Sequence, residues 1–199
     1  MKKETQNIAL FDMDGVLCDY DKALIKDYNK IKSKSDPEFK NYSKKIIPFI
    51  QNRKDIIRRQ PGWWENLEKK RLGFEILKIA REVGLSIYIL THAQEKFPNS
   101  WAEKVRWVKK HVKNAQIIMA EEKWVVYGKV LIDDHPLNAK KWLNARRHGL
   151  VIMPIQKYNK NFKHERCIKT NGKNLNKIRK ALNLAKNRQP GAPLDLSKL

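Results

Sequence analysis

Short apolar runs punctuate the chain, and three of them end in reactive residues. Ile8-Ala-Leu-Phe11 runs into Asp12-Met-Asp14-Gly15, Leu85-Ser-Ile-Tyr-Ile-Leu90 into Thr91-His92, and Lys129-Val-Leu-Ile132 into Asp133-Asp134. Gln116 to Met119 and Leu150 to Met153 are two further runs of strand length. Such runs, apolar without alternation and bounded by polar residues, suit strands covered on both faces. Between them the apolar positions take helical spacing. Phe74, Leu77, Ile79, Ala80 and Val83 line up in Gly73 to Val83, Val105, Val108 and Val112 in the helix from Trp101 to His111, and Leu175, Ile178, Leu182 and Leu184 in Asn174 to Lys186. His135-Pro-Leu-Asn-Ala139 opens one more helix, to about Arg147. Strands alternating with helices predict an α/β fold with a doubly wound parallel sheet. On this pattern the sheet is complete after Met153, and 154–170 is irregular and basic.

From Gly15 to Leu85 the character changes. Asp19 to about Ile31 is helical, Ser33-Lys-Ser-Asp-Pro37 is a turn, and Glu38 to Asn52, interrupted at Pro48, is helical together with Lys54 to Arg59. Gln60-Pro-Gly62 breaks the pattern before Trp63-Trp64. An insertion of this size directly after the first strand predicts a helical cap over the strand ends. The expected division is 1–15 and 85–186 as the α/β core, 16–84 as the cap, and 187–199, rich in Pro and Gly, as a flexible tail.

Two carboxylates one residue apart at a strand's C-terminal end repel each other unless a cation or a proton sits between them, so Asp12 and Asp14 suggest a Mg²⁺ site. Asp12 is then free to act as nucleophile and Asp14 as acid and base. In an open parallel sheet all strand C-termini reach one edge, which gathers Asp12, Asp14, Thr91, Asp133 and Asp134 there. With Lys123 ten residues before the acid pair, the set makes a phosphate site: acids for metal and attack, a hydroxyl and an ammonium for phosphoryl oxygens. Taken singly, each residue is bland, a cap, a turn or a solvated charge.

The 199 residues carry 43 Lys and Arg against 21 Asp and Glu, a net charge of +22, which draws anionic partners and makes nucleic acid a candidate. The lysines are nevertheless spread over nearly every segment, which favours nonspecific attraction and steering of a phosphomonoester over a dedicated nucleic-acid surface. No apolar stretch approaches the roughly 20 residues of a membrane span, and the opening residues lack a signal peptide's apolar stretch. A cytoplasmic protein is expected. Cys18 and Cys167 have no metal-ligand spacing, and a reducing cytosol disfavours a disulfide.

The order D-x-D-G-V, I-L-T, Lys, L-I-D-D resembles the haloacid dehalogenase-like (HAD) phosphohydrolases. Within them, Pro61-Gly-Trp-Trp-Glu-Asn-Leu67, Glu103-Lys-Val-Arg-Trp-Val108 and Glu122-Lys-Trp-Val-Val-Tyr-Gly-Lys-Val-Leu-Ile-Asp-Asp134 are similar to the P-G-F-F-x-x-L, E-K-Y-x-W-V and D-K-T-V-V-x-x-x-L-L-I-D-D segments of the 5′(3′)-deoxyribonucleotidases. The similarity runs from about residue 8 to about 153. It implies a HAD-like core and a Mg²⁺-dependent phosphomonoesterase that hydrolyses (deoxy)ribonucleoside monophosphates through an aspartyl-phosphate. By position, Asp12 attacks phosphorus and binds Mg²⁺, while Asp14 gives its backbone carbonyl to the metal and its carboxyl to proton transfer. Asp134, with Asp133 beside it, completes the metal shell; Thr91, Lys123 and Lys96 meet the phosphate. Two positions depart from the pattern. Thr91-His92-Ala93 stands where the family often has Thr-Ser-Pro, which gives His92 the place of a hydroxyl, and Trp63-Trp64 replaces Phe-Phe with a larger aromatic surface, either for stacking a nucleobase or as core of the cap. The alternatives are a phosphatase of nucleic-acid 5′ or 3′ ends and a nucleic-acid-binding module on a degenerate phosphatase scaffold. The oligomeric state stays open, a homodimer included.

Overall fold

The computed structural model describes residues 7–36, 38–39, 47–189 and 191–197. Strands β1 (Ile8–Phe11), β2 (Ser86–Thr91), β3 (Gln116–Met119), β4 (Val130–Ile132), β5 (Leu150–Pro154) and β6 (Cys167–Thr170) form one sheet in the order β3-β2-β1-β4-β5-β6. All five neighbouring pairs are parallel. The helices are α1 (Tyr20–Ile31), α2 (Pro48–Arg59), α3 (Arg71–Glu82), α4 (Pro98–His111), α5 (Pro136–Ala145) and α6 (Leu175–Asn187).

Alternate strand residues feed two different layers. Ala9 and Phe11 of β1 join Ile87, Ile89, Val130, Ile132 and Ile168 in a cluster that α3, α4 and α6 cover with Ile76, Ala80, Trp107, Ile178 and Leu182. Ile8 and Leu10 face the other way, with Leu90, Leu131, Val151 and Met153, against Trp142 and Leu143 of α5. This two-sided burial explains the unbroken apolar runs, and the doubly wound α/β fold is as expected.

Three details differ from the sequence reading. Residues 154–170 are not irregular throughout: they end in β6, a sixth parallel strand alongside β5. Its Cys-Ile-Lys-Thr buries only Ile168 and Thr170, so the run carries too little apolar pattern to stand out. Pro48 starts α2 instead of interrupting a longer helix, since a proline at the first turn loses no helical hydrogen bond. Glu38 and Phe39 lie outside any helix, and the helical turns expected over 40–46 fall outside the described residues.

Leu24, Tyr28, Ile50 and Ile57 of α1 and α2 make a small apolar cluster separate from the sheet. Helix α3 belongs with the sheet: a Cβ on its Gly73 would stand 2.0 Å from the Val16 carbonyl oxygen, so only glycine lets it lie against the chain leaving β1. In the C-terminal segment Leu194 is buried against the sheet's core cluster and Leu196 packs there partly buried.

Candidate active site

Strand β1 has β2 on one side and β4 on the other, so the sheet reverses direction of winding at its C-terminal end, where α/β folds place their ligands. The ladder continues one residue beyond the strands. The Asp12 N–H donates to the Ile132 carbonyl at 2.9 Å and the Asp133 N–H to that of Ile152 at 3.2 Å, which brings both acids to the same edge. Gly15 lets the two acid segments touch: its φ is +79°, and a Cβ there would lie 2.1 Å from Asp134 Oδ2. The glycine of the D-x-D-G turn is thus required twice, by conformation and by space.

Carboxylate oxygens of Asp12, Asp133 and Asp134, all buried, lie within 4.8 Å of one another. Lys123, on a 3-10 turn (Lys123–Val125), reaches Asp12 Oδ1 and Asp133 Oδ2, each at 2.8 Å. Asp12 Oδ1 also accepts the Met13 N–H at 2.7 Å. Asp133 is saturated within the protein: besides Lys123 it accepts the His135 N–H at 2.7 Å and the Asn138 amide at 3.2 Å. Asp134 accepts the Tyr158 hydroxyl, and Asn159 donates to its backbone carbonyl at 2.9 Å.

Three buried carboxylates against one buried ammonium leave negative charge that solvent screens poorly. Burial, reinforced by Asp133 and Asp14 and opposed by Lys123, pushes Asp12 up to about 7. Burial and the charges of Asp133 and Asp12 likewise hold Asp134 well above the usual carboxylate range. Burial works against the Lys123 ammonium, yet Asp12 and Asp133 outweigh it and raise its pKa. An all-oxygen set in which burial holds Asp12 and Asp134 toward their protonated forms until a cation arrives fits a hard divalent ion.

A cavity of about 640 Å³ opens above these groups. Of the residues expected at the site, Asp12, Asp14, His92, Lys123 and Asp134 line it, together with Tyr20, His135 and Tyr158. Burial and the Lys104 and Lys123 charges lower the His92 pKa, so its imidazole is neutral at pH 7. Thr91 is fully buried at the end of β2, where its Oγ1 takes a hydrogen bond from Lys104 at 3.2 Å. Lys96 is elsewhere: it pairs with Asp55 at 3.2 Å and lines a neighbouring cavity.

The tryptophans pack instead of lining the cavity. Trp64 is 4% exposed, stacks on Tyr20 with centroids 5.5 Å apart, and donates its indole N–H to the Arg58 carbonyl at 3.0 Å. Trp63 meets Trp64 edge-on and donates to Asp27 at 2.9 Å. Trp64→Ala should therefore cost about 3–5 kcal/mol of stability, as for other buried aromatics. Thermal unfolding reads that loss, and turnover of a deoxynucleotide and of p-nitrophenyl phosphate should fall together. A selective loss on the deoxynucleotide would instead return Trp64 to base stacking.

Lys104 and Glu103 were missed as site residues, although a signal existed. The buried stripe of α4 is Ser100, Glu103, Lys104, Trp107 and Val108, so two charges sit in the i, i+3, i+4 pattern reserved for apolar side chains. A larger cavity, about 1130 Å³ and lined by Arg147, Arg166, Lys169 and Lys177 among others, lies between β6 and the segment 191–197, and it contains none of the acid cluster. No helix among the described residues is long and apolar enough to cross a membrane.

A provisionally named 5′(3′)-deoxyribonucleotidase of Bordetella pertussis is 27% identical over 159 residues, covering 75% of this chain and 86% of its own. The cytosolic-type 5′(3′)-deoxyribonucleotidase of Homo sapiens is 24% identical over 140 residues, covering 63% and 69%. A family model described as 5′ nucleotidase, deoxy (pyrimidine), cytosolic type C protein matches residues 6–179, nearly the whole of the sheet and its helices. The chain belongs to this deoxyribonucleotidase family of the HAD superfamily and is a hydrolase of the nucleotidase type.

Proposed function

We propose that the chain hydrolyses deoxyribonucleoside monophosphates in a Mg²⁺-dependent reaction that passes through a phosphorylated Asp12. The observation that carries this reading is the setting of Asp12, a buried carboxylate with Oδ1 held by the Met13 N–H and Lys123 while the residue still lines the cavity. Asp12, Asp134 and the Asp14 backbone carbonyl would hold the ion, with Asp133 committed to fixing Lys123. Bound there, Mg²⁺ supplies a Lewis acid that stabilises charge on phosphoryl oxygens.

The protein's own groups do the rest. A carboxylate oxygen of Asp12 forms a bond to phosphorus as the ester P–O bond breaks, and Asp14 gives a proton to the departing nucleoside oxygen. Asp14 then takes a proton from the water that attacks phosphorus, which releases phosphate and restores Asp12. Two of the three Lys123 donors are engaged by Asp12 and Asp133, which leaves one for a phosphoryl oxygen. The neutral His92 completes the phosphate end, and Thr91, buried at the end of β2, stands behind it with its hydroxyl on Lys104. Helices α1 and α2 act as the cap, and Tyr20 at the head of α1 brings an aromatic ring to the cavity where the nucleoside leaves.

Phosphate release in Mg²⁺ from deoxyribonucleoside 5′- and 3′-monophosphates, set against 5′- and 3′-phosphorylated oligonucleotides, tests the substrate. Mononucleotides should be preferred. The net charge of +22 gives the oligonucleotide ends their standing as competitors, and preference for them would replace this reading.

Metal binding should also show in stability. Unfolded carboxylates ionise near 4, whereas burial lifts Asp12 to about 7 and Asp134 upward, so the metal-free fold keeps protons that the unfolded chain gives up. That stabilisation is full below the unfolded value and is lost as pH rises through the folded one. A cation competes with the same protons, so Mg²⁺ should raise Tm more at pH 8 than at pH 5.5. At a hundredfold excess over Kd the gain is about 2.7 kcal/mol. Melting curves of chelator-treated protein that do not respond to Mg²⁺ at pH 8 would remove the metal from the reading.

A further inference from the structure

Helix α4 carries two consecutive buried charges that the mechanism above does not use. Glu103 and Lys104 are 3% and 1% exposed, and they reach in different directions. Glu103 accepts the Gly62 N–H at 2.8 Å on Oε1 and the Trp64 N–H at 3.0 Å on Oε2. Lys104 Nζ donates to Asp14 Oδ2 at 2.6 Å, to the His92 carbonyl at 2.6 Å and to Thr91 Oγ1 at 3.2 Å. Burying an ammonium and a carboxylate is costly, and each here has its hydrogen bonds made.

The Gly62 turn, with φ at +78°, follows the end of α2. The Trp64 indole and the Asn99 amide both donate to the carbonyl of Arg58 in the last turn of that helix. Lys104 Nζ also stands 4.7 Å from the centroid of the Trp64 ring. One turn of α4 therefore holds the loop that closes the α1–α2 unit on one side and the Asp14 carboxylate on the other.

An ammonium has three donors. Those of Lys104 are spent on Asp14, His92 and Thr91, and the residue is absent from the lining of the cavity, in contrast to Lys123. We infer that Lys104 is a positioning residue that never meets the phosphate: it fixes the Asp14 carboxyl toward the leaving oxygen, and Glu103 sets that grip together with the cap's closing loop. The inference rests on the reading of Asp14 as the group that protonates the leaving nucleoside.

The test uses two esters, a deoxynucleoside monophosphate, whose alkoxide needs a proton to leave, and 2,4-dinitrophenyl phosphate, whose leaving group does not. Lys104→Met should lower kcat on the nucleotide by about 100-fold or more, the size of a lost general acid, and on the dinitrophenyl ester by less than about tenfold. KM and inhibition by inorganic phosphate should hold. Lys104→Gln, which keeps a donor, should lie between. Added to Asp14→Asn, the Lys104 substitution should change the ratio of the two esters no further, because both act through one group. Glu103→Gln should shift the ratio in the same direction by a smaller factor.

Equal losses on both esters with weaker phosphate inhibition would make Lys104 a phosphate ligand, and equal losses with a lowered Tm would make it structural; either overturns the inference. If Glu103→Gln moves Tm and leaves the ratio alone, the link to the cap falls. Should Asp14→Asn itself treat the two esters alike, the acid assignment fails and takes the inference with it. If Asp14→Asn discriminates and neither Lys104 variant does, the inference fails alone.

Discussion

Asp12→Asn should reduce kcat/KM for a deoxynucleoside monophosphate by at least about a thousandfold, some 4 kcal/mol of barrier at 1.36 kcal/mol per decade. An amide oxygen is a poor nucleophile and cannot form the acyl phosphate, and the acid cluster loses one of its anionic members. The fold should survive. Asp12 sits in a setting that already resists its ionisation, so exchange for a neutral isostere removes a buried charge and leaves the volume unchanged. Steady-state rates and melting curves of the variant check both halves. Activity within tenfold of wild type would take Asp12 out of the nucleophile role.

Lys123→Met should damage both activity and stability. Its side chain is 4% exposed and its ammonium bridges Asp12 and Asp133 at 2.8 Å each, so removing the charge leaves two buried carboxylates facing one another without their cation. Removing one partner of a buried pair costs about 3–5 kcal/mol. For a chain of this length that is roughly 6–20 °C in Tm. Above neutral pH the loss should be largest, since at low pH the stranded acids can take up protons. Thermal unfolding at pH 5.5 and 8 gives the comparison, and phosphate release gives the accompanying fall in turnover from the lost phosphoryl contact. Equal melting temperatures for wild type and variant at pH 8 would mean that Lys123 does not balance the acid cluster.

How far the site was legible in the sequence depended on whether chemistry sat at a strand end. Asp12, Thr91, Asp133 and Asp134 follow apolar runs directly, and the rule that parallel strands share one carboxyl edge gathers them without any further knowledge. Lys123 lies before its strand, and its place ten residues ahead of the acid pair marked it. Lys104 is different in kind. It comes from the inside of a helix, where the periodic pattern was read from Val105, Val108 and Val112, whereas the structure buries Glu103, Lys104, Trp107 and Val108. A reading that scores only apolar positions passes over a charge on the inner face.

For the tryptophan pair the sequence leaves base stacking and cap core both open. Two large aromatic rings beside a phosphate site suggest stacking on a base, but Trp64 spends one face on Tyr20 and its N–H on Arg58. Tyr20, which the helical pattern treated as ordinary, does bring its ring to the cavity. Strand β6 was missed because four residues at a sheet edge, half of them polar, carry almost no periodic signal.

The most direct measurement is to find where phosphate goes during turnover. Enzyme quenched in acid while hydrolysing a deoxynucleoside monophosphate in Mg²⁺, then reduced with borohydride and digested, converts an acyl phosphate of aspartate into homoserine, which mass spectrometry places in the sequence. Homoserine at position 12, absent when substrate is omitted, is the expected result. Conversion at another residue, or none in enzyme that is releasing phosphate at its full rate, would contradict attack by Asp12.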